Sequence, residues 1–218
     1  MRTPIAAILI LMVVALLHPG TAAAQRKAEP GSFDYYVLSL SWSPAFCARE
    51  SRAADSDQCG AGKRFGWVVH GLWPQFADGG YPRACATGRT VPKAVVDETI
   101  GTMPDVGLIL HEWRTHGTCT GLSATDYFAK VRAAQAKVKI PPALAAPKDG
   151  LSVPAPEVEA QFATANPGLT PDMIALVCQR RQVSEVRVCL DKSLQPIECG
   201  RGVRNSCPYL PLRIPAAR

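Results

Sequence analysis

The chain has 218 residues, 47% of them hydrophobic, with 24 lysines and arginines against 18 aspartates and glutamates. The formal charge of +6 and the sequence pI near 9.0 favour a polyanionic partner. The basic residues are dispersed, with no run of five or more, which argues against a disordered nucleic-acid-binding tail. The apolar content suits one domain with a substantial core.

Residues 1–24 have the pattern of a secretory signal peptide. Arg2 gives a positive start, residues 5–17 form an apolar run, and three alanines at 22–24 offer a cleavage site. The run is too short to cross a bilayer comfortably, and no later stretch approaches the roughly 20 apolar residues that a transmembrane helix needs. We therefore expect an exported protein without a membrane-spanning segment, in which residues 25–218 form a single domain.

All eight cysteines lie after the predicted leader, and no two are closer than eight positions apart. Because zinc-binding cysteines usually come in pairs separated by two to four residues, this even, well-spaced set indicates disulfides in an oxidising compartment. Spacing alone does not select the pairs. The chain has no Asn-x-Ser/Thr glycosylation site, which favours a bacterial protein that is periplasmic or secreted.

The first half of the mature chain predicts two strands. Residues 33–42 are rich in Tyr, Val, Leu and Trp, and Pro44 stops the strand. Residues 65–72 carry few polar groups and predict a second, buried strand, whose ladder Pro74 breaks. The polar, glycine-containing residues 47–63 between them predict a loop.

Helical spacing and capping signals then predict three helices. Each follows a residue type that begins helices, namely a proline, an aspartate, or a serine or threonine cap. The three are predicted over residues 93–103 with Pro92 at the first position, from Asp105 to Gly117 after Pro104, and over residues 126–138 after Ser123 or Thr125, with a loop over residues 75–91 before them.

Five prolines in residues 139–156 predict an irregular connection rather than a boundary between domains. Residues 157–165 predict a short helix, and residues 174–180 and 183–190 predict two strands joined as a hairpin. A tail pinned by cysteines follows. The sequence has no internal repeats.

Three histidines remain in the mature chain, and all of them fall in two short segments rich in Trp and Gly. His70 lies in Trp-Val-Val-His-Gly-Leu-Trp-Pro-Gln, residues 67–75, and the others in His-Glu-Trp-Arg-Thr-His-Gly-Thr-Cys, residues 111–119. On a helix, His111 and His116 would be about 140° apart. Because the zinc motif His-Glu-x-x-His needs its histidines four apart on one face, a zinc hydrolase is disfavoured and no metal is expected.

Acid–base catalysis by paired imidazoles explains these residue types and their spacing better than zinc binding does. Histidine titrates near pH 6.5, so one ring can take a proton from a hydroxyl while another donates one to a leaving oxygen. Glu112 lies one helical turn from His116, and we expect it to orient that ring and favour its protonated form. A single histidine is more often a hydrogen-bonded core residue, but three in two motifs favour catalysis. Trp113 is expected to be a buried packing residue.

These two segments resemble the active-site segments of the ribonuclease T2 family, and residues 35–44 and 205–208 resemble its first strand and its closing segment. The resemblance implies an α+β fold, with helices packed on a mainly antiparallel sheet. It also implies an endoribonuclease that needs neither metal nor cofactor and cleaves single-stranded RNA. The 2′-hydroxyl of the substrate attacks the adjacent phosphorus and gives a 2′,3′-cyclic phosphate. We expect a monomer that has RNA as its partner.

The resemblance assigns a role to individual residues and a partner to each cysteine. The implied roles are general base for His116, general acid for His70, phosphate binding and transition-state stabilisation for His111 and Glu112, and base binding for Trp73 and Tyr81, whose rings can stack on a base. The implied disulfides are Cys47–Cys59, Cys85–Cys119, Cys178–Cys207 and Cys189–Cys199.

Two substrate-binding positions depart from the family pattern. Thr115 stands where the family usually has a lysine, whose charge offsets the negative charge that develops on the phosphorus. A charged hydrogen bond is worth about 1.5–3 kcal/mol, so its loss would cost about ten- to a hundredfold in rate. The neighbouring Arg114 points about 100° away on a helix. Gln75 stands where some members carry an aspartate that contacts the base, which leaves the base preference open.

The missing lysine leaves an alternative function open, namely an RNA-binding or inhibitory protein on the same scaffold with little catalysis. Retention of both imidazoles at positions 70 and 116 favours the enzyme. A structural protein held together by disulfides would not need the clustered histidines.

Overall fold

The computed structural model describes residues 28–49, 56–86, 90–208 and 210–217. The predicted leader, residues 1–24, lies outside these ranges. The fold is α+β, as predicted, with a mostly antiparallel six-stranded sheet and helices packed on it. Within the described ranges, no helix is both long and apolar enough to cross a membrane.

Strand β1, Tyr35–Trp42, lies inside the sheet, and all eight of its residues are buried. It pairs antiparallel with β2, Trp67–Gln75, on one side and with β5, Gln182–Leu190, on the other. The predicted hairpin is present, since β4, Ile174–Gln179, pairs antiparallel with β5. Two three-residue strands extend the sheet beyond β5, and they are β6 (Leu212–Ile214) and β3 (Leu151–Val153).

Side chains alternate between the two faces of β5. Val186 and Val188 join the main hydrophobic core, which lies between the sheet and the helices. Glu185 and Arg187 therefore point to the opposite face, where they are only partly buried. This alternation brings two charged side chains of β5 to the side of the sheet that carries His70.

Six helices lie in the described ranges, and two of them begin at predicted caps. Asp105 accepts a hydrogen bond from the backbone N–H of Leu108 at 2.8 Å, and Ser123 accepts one from Asp126 at 3.1 Å. Such caps are worth about 1 kcal/mol each. The helices are α1 (Ser43–Cys47), α2 (Lys93–Thr99), α3 (Val106–Thr115), α4 (Ala124–Lys137), α5 (Pro142–Ala145) and α6 (Ala155–Ala165), with 3₁₀ turns at Gly117–Cys119 and Pro171–Met173.

Two predictions about prolines near the ends of elements are wrong. β2 does not break at Pro74 but continues to Gln75, with Pro74 opposite Tyr36. β2 is an edge strand, and a proline nitrogen that faces away from the neighbouring strand removes no ladder hydrogen bond. Pro92 is the cap of α2 rather than its first residue, and α2 ends at Thr99, before the bend that leads to the next proline.

The prediction that residues 139–156 are irregular is also wrong. They contain α5, β3 and the first residues of α6. The prolines are compatible with this structure because Pro142 begins α5 and Pro154 caps α6, positions at which a missing N–H removes no helical hydrogen bond. The C-terminal tail contributes β6 to the sheet.

Four disulfides join the described cysteines, in the pairs that the resemblance implies. Three of them close short segments of 10–29 residues in sequence separation. The fourth, between Cys85 and Cys119, spans 34 residues and ties the loop after β2 to the 3₁₀ turn that follows α3. The pairs are Cys47–Cys59, Cys85–Cys119, Cys178–Cys207 and Cys189–Cys199.

Candidate active site

His70 lies on β2 and is held by a hydrogen-bonded network that crosses the sheet. Its Nδ1 donates to Glu185 Oε1 on β5 at 2.9 Å. The other oxygen of Glu185 accepts from Ser39 Oγ of β1 at 3.1 Å, and from Nε and Nη2 of Arg187 at 3.0 and 2.8 Å. Because Glu185 engages Nδ1, the Nε2 atom of His70 is left to face the cleft.

Glu185 also sets the charge of His70. Burial by itself lowers the pKa of His70, but the hydrogen bond and negative charge of Glu185, together with the charge of Glu112, outweigh burial and raise it. Burial opposes ionisation of Glu185 too, yet His70 and Arg187 lower its pKa to about 2. The pair therefore consists of a carboxylate and an imidazole that tends to keep its proton.

Glu112 lies on α3 and points into the cleft, where it is almost fully buried. Its Oε2 accepts a hydrogen bond from Nε1 of Trp73 at 2.7 Å, and its Oε1 lies 3.9 Å from Nε2 of His70. A side chain at Gly71 would place its Cβ 2.2 Å from both partners of the Trp73–Glu112 bond, so this position requires glycine. Burial raises the pKa of Glu112 to about 7, against the opposing effects of His70 and Trp73.

His116 caps the C-terminal end of α3 and is held by aromatic rings. Its ring centroid lies 5.5 Å from that of Trp73 and 5.8 Å from that of Tyr81. Its Nδ1 is buried and has no hydrogen-bond partner among the described residues. Burial first, and then the charges of His111, His70 and Arg83, lower the pKa of His116 to about 3.

The expectation that Glu112 orients His116 and favours its protonated form is therefore wrong. The helix ends at Thr115, and the backbone of His116 has φ −121° and ψ −45°, outside the helical range. The backbone N–H of His116 still donates to the carbonyl of Glu112 at 2.9 Å, but the two side chains have different partners. Glu112 instead contacts Trp73 and faces His70.

His111 and Thr115 occupy one face of α3, as the helical spacing predicts. Thr115 Oγ1 lies 3.5 Å from His111 Nε2, at the limit for a hydrogen bond. Partial burial and the charges of Arg114, His70 and Arg83 lower the pKa of His111. The loop that carries Arg83 is fixed against this end of α3, since the N–H of Ala84 donates to the carbonyl of Thr115 at 2.9 Å.

Two cavities flank the histidines. One, of about 280 Å³, is lined by Trp73, Tyr81, His116 and Gln75 among others, and the guanidinium of Arg187 lies 5.0 Å from the Trp73 ring centroid at its wall. The side-chain amide of Gln75 donates to the carbonyl of the preceding proline. The other cavity, of about 460 Å³, lies on the side of His70 and His111.

The predicted site residues thus come together at one cleft, and Trp113 is a buried packing residue, 1% exposed. In the part of the chain that the structure describes, no three His, Cys, Asp or Glu side chains converge as metal ligands. Sequence reasoning missed Glu185, Arg187 and Arg83. The only signal for the first two is their two-residue spacing within a strand otherwise rich in valine, which puts both charges on one face.

The fold and the cleft define a class of protein, an α+β protein stapled by disulfides whose histidines and carboxylates share one groove. The sequence profile of the Ribonuclease T2 family matches residues 33–199, and the chain belongs to that family.

Individual relatives carry ribonuclease names. The chain is 45% identical over 120 residues to a ribonuclease of Aeromonas hydrophila (55% of this chain and 53% of that protein). It is 35% identical over 178 residues to a probable ribonuclease of Haemophilus influenzae (76% of this chain and 61% of that protein). The matches therefore span only between half and two thirds of the length of these two relatives. The structure of an RNase-related protein from Calystegia sepium covers 85% of this chain and 97% of its own with a TM-score of 0.65 at 20% identity, which shows the common fold.

Proposed function

We propose that the protein is a metal-independent endoribonuclease that cleaves single-stranded RNA through 2′,3′-cyclic phosphates. The observation that carries this proposal is the opposite tuning of two imidazoles in one cleft. The pKa of His70 is raised and that of His116 is lowered to about 3, so that between these values one ring holds a proton while the other can accept one. That pairing is what general acid–base catalysis of a phosphoryl transfer requires.

The proposed reaction uses the free nitrogen of each ring. His116 takes the proton of the 2′-hydroxyl, most directly through Nε2, since its Nδ1 is buried. The 2′-oxygen attacks phosphorus and the bond from phosphorus to the 5′-oxygen breaks. His70 donates its Nε2 proton to that oxygen, while Glu185 holds Nδ1. The products are a 2′,3′-cyclic phosphate and a free 5′-hydroxyl.

The transition state carries extra negative charge on the phosphoryl oxygens, and we propose three donors for it. Glu112, whose pKa is raised to about 7, is protonated in mild acid and can then donate a hydrogen bond without repelling the phosphate. His111 lies beside it on α3. Arg83 takes over the role of the missing lysine at Thr115, because its loop is bonded to Thr115 and its charge acts on both His111 and His116.

The cavity of about 280 Å³ is the proposed site for the base on the 5′ side of the cleaved bond. Trp73 and Tyr81 offer aromatic faces there, and stacking on such faces tolerates any base. Gln75 offers an amide for hydrogen bonds. Since the nucleophile is the 2′-hydroxyl, RNA is a substrate and DNA is not.

Four disulfides support a place of action outside the cytoplasm, because reducing compartments keep cysteines as thiols. We infer a periplasmic or secreted enzyme that acts as a monomer, released from a leader over residues 1–24. N-terminal sequencing of the exported protein would give the cleavage position, and light scattering its mass in solution.

The test is cleavage of single-stranded RNA by the purified, oxidised protein in excess EDTA between pH 4 and 8. We expect cleavage of RNA with 2′,3′-cyclic phosphate ends and none of matched DNA. A strand with a single 2′-deoxy nucleotide should resist cleavage at that position only. RNA binding without cleavage would instead support the alternative, an RNA-binding or inhibitory protein, and loss of activity with EDTA would support a metal-dependent hydrolase.

A further inference from the structure

The cavity of about 460 Å³ beside His70 does not end at the catalytic groups. It shares Arg49 and Gln179 as lining residues with a second cavity of about 470 Å³. The second shares Arg180 and Gln182 with a third, of about 750 Å³, which reaches the edge formed by β3 and β6. The three cavities therefore adjoin one another in a row from His70 past the β4–β5 turn, and we treat this row as one groove.

The groove is positively charged along its outer part. Four exposed arginines line it, and we call it the arginine groove after them (Arg49, Arg180, Arg181 and Arg213). Among the described residues, no carboxylate forms an ion pair with any of the four. Among the described residues, Asp149 is the one acidic residue that lines the cavity of about 750 Å³, and none lines the cavity of about 470 Å³. The inner cavity is lined by Glu185 and Asp105. Glu185 is hydrogen-bonded to His70, and Asp105 accepts a hydrogen bond from the first turn of α3.

Two of these arginines sit where the fold would prefer other residues. Arg180 and Arg181 form the two-residue turn between β4 and β5, with φ values of 48° and 67°. Such a turn needs left-handed backbone at both positions, for which Asn-Gly is the favoured sequence. The turn therefore does not explain the arginines. Arg181 is further oriented by a hydrogen bond from Nη2 to the carbonyl of Pro211 at 3.1 Å, and Arg49 by one from Nε to the carbonyl of Ala45 at 3.0 Å.

We propose that the arginine groove binds the phosphates of single-stranded RNA on the 3′ side of the cleaved bond. The inference rests on the proposed function, in which His70 protonates the 5′-oxygen of the leaving nucleotide. That nucleotide must therefore occupy the cavity beside His70, and the chain continues from it towards the arginines. From Glu185 to Arg181 the strand covers about 13 Å at roughly 3.3 Å per residue. Phosphates of a stacked strand rise by about 3.4 Å each, so the path accommodates several nucleotides.

The test variant is Arg180→Asn combined with Arg181→Gly. It removes two charges and installs the sequence that the turn favours, so a loss of function cannot be attributed to unfolding of the hairpin. The matched control is Lys130→Gln combined with Lys192→Gln. It also removes two positive charges, but near the opposite end of β5. There the side chain of Lys130 donates a hydrogen bond to the backbone carbonyl of Lys192. Thermal melting of both variants checks the fold.

The substrates are a dinucleoside monophosphate and 2′-O-methyl strands with one cleavable ribonucleotide, extended by ten nucleotides on either the 3′ or the 5′ side. We expect the wild type and the control to cleave the 3′-extended strand with about tenfold higher kcat/KM than the dinucleoside at low salt. The double turn variant should lose this advantage and cleave the dinucleoside normally. Its binding to an all-2′-O-methyl strand should show a salt dependence weaker by about 1.4 in log–log slope, since each phosphate contact to a single strand contributes roughly 0.7.

The outcomes test the arginine groove separately from the proposed catalytic function. Equal cleavage of the 3′-extended strand by the turn variant and the wild type, or an advantage for the 5′-extended strand instead, overturns the proposal and leaves the catalytic assignment intact. If the wild type cleaves neither substrate, the proposed function fails. Binding of the uncleavable strand then still tests whether the arginine groove binds RNA. That proposal is refuted if the turn variant binds the strand as tightly as the wild type does.

Discussion

The two histidines of the cleft are held by different kinds of interaction. His70 is fixed by hydrogen bonds and charge, through Glu185 at 2.9 Å and the guanidinium of Arg187 behind it. His116 is fixed by packing, between the rings of Trp73 and Tyr81, and its Nδ1 has no partner among the described residues. The first environment favours the charged imidazole and the second favours the neutral one.

The difference shows that burial alone does not determine the protonation state of a histidine. Both rings are partly buried, and burial is the largest single influence on the pKa of each. What separates them is chiefly Glu185, which reaches His70 from a strand 115 residues away in sequence, with the charge of Glu112 adding to its effect. His116 has the positive neighbours His111, His70 and Arg83 instead.

The largest expected effect comes from removing either ring. His70→Ala and His116→Ala should each lower kcat on RNA by about a thousandfold or more, within the range of general acid–base catalysis. A substrate with a 4-nitrophenolate leaving group needs no proton from an acid. We therefore expect it to restore much of the rate to His70→Ala and little to His116→Ala, as measured by release of the coloured product.

Circular dichroism and thermal melting would establish that both variants fold. Restoration of His116→Ala rather than His70→Ala by the activated substrate would reverse the assignment of acid and base. Restoration of neither would mean that the two rings serve another step, such as substrate binding.

The next effect tests the cation beside His116. Arg83→Gln should lower kcat by about ten- to a hundredfold, because a charged hydrogen bond to the phosphoryl group is worth about 1.5–3 kcal/mol. Adding Thr115→Lys should recover part of that loss, since it places an ammonium on the same end of α3. Steady-state kinetics of the two single variants and the double variant measure the coupling.

Arg114→Gln is the matched control, because it removes the same charge from the next position of α3. Its effect on kcat should be clearly smaller than that of Arg83→Gln. Equal losses in the two variants would indicate a general electrostatic contribution to RNA binding rather than a specific role for Arg83.

The smallest expected effect is a shift in the pH dependence of activity, which tests why the pKa values of His70 and His116 differ. In the proposed mechanism His70 acts in its protonated form, so we expect activity below its raised pKa and loss of activity as the pH rises through that value. Glu185→Gln removes the charge that raises the pKa, while burial and Arg187 still lower it. The alkaline limb of kcat/KM should therefore move to lower pH, with a loss of about tenfold at pH 7 and little change at pH 5.

The acid limb belongs to His116, whose pKa is lowered to about 3, and should not move in Glu185→Gln. Ser39→Ala provides the control, because it removes one hydrogen bond to Glu185 without changing the charge. NMR titration of the His70 ring would report its pKa directly. An unchanged alkaline limb in Glu185→Gln would exclude Glu185 as a positioning residue for His70.

The sequence predicts the elements that carry strong local signals. The cap at Asp105, the cap at Ser123 and the hairpin of β4 and β5 are all present, because capping and alternation are properties of a few adjacent residues. The α+β fold follows from the family resemblance and is confirmed. The strands β3 and β6 escape prediction because three residues are too few for a periodic pattern, and both depend on pairing with strands that are distant in sequence.

The residues of the candidate site also fall into two groups, those that the sequence predicts and those that it does not. His70, Glu112 and His116 stand in two compact motifs and can be recognised there. Glu185 cannot be recognised, because a lone acidic residue in a strand has no local signature and its role arises only when β5 packs beside β1. The contact of Glu112 with Trp73 rather than with His116 likewise depends on how β2 packs beside α3, which no short sequence pattern encodes.

Pro74 affects whether the edge strand β2 can pair with a strand of a second molecule. Open sheet edges invite strands from other molecules, and β2 is the terminal strand on its side of the sheet. Along β2, the N–H of Val69 is bonded to the carbonyl of Thr102, the carbonyl of Leu72 accepts from Tyr127, and Pro74 has no N–H to offer. A strand from a second molecule would find few groups to pair with, so the edge that carries His70 resists self-association and aggregation and stays open to substrate.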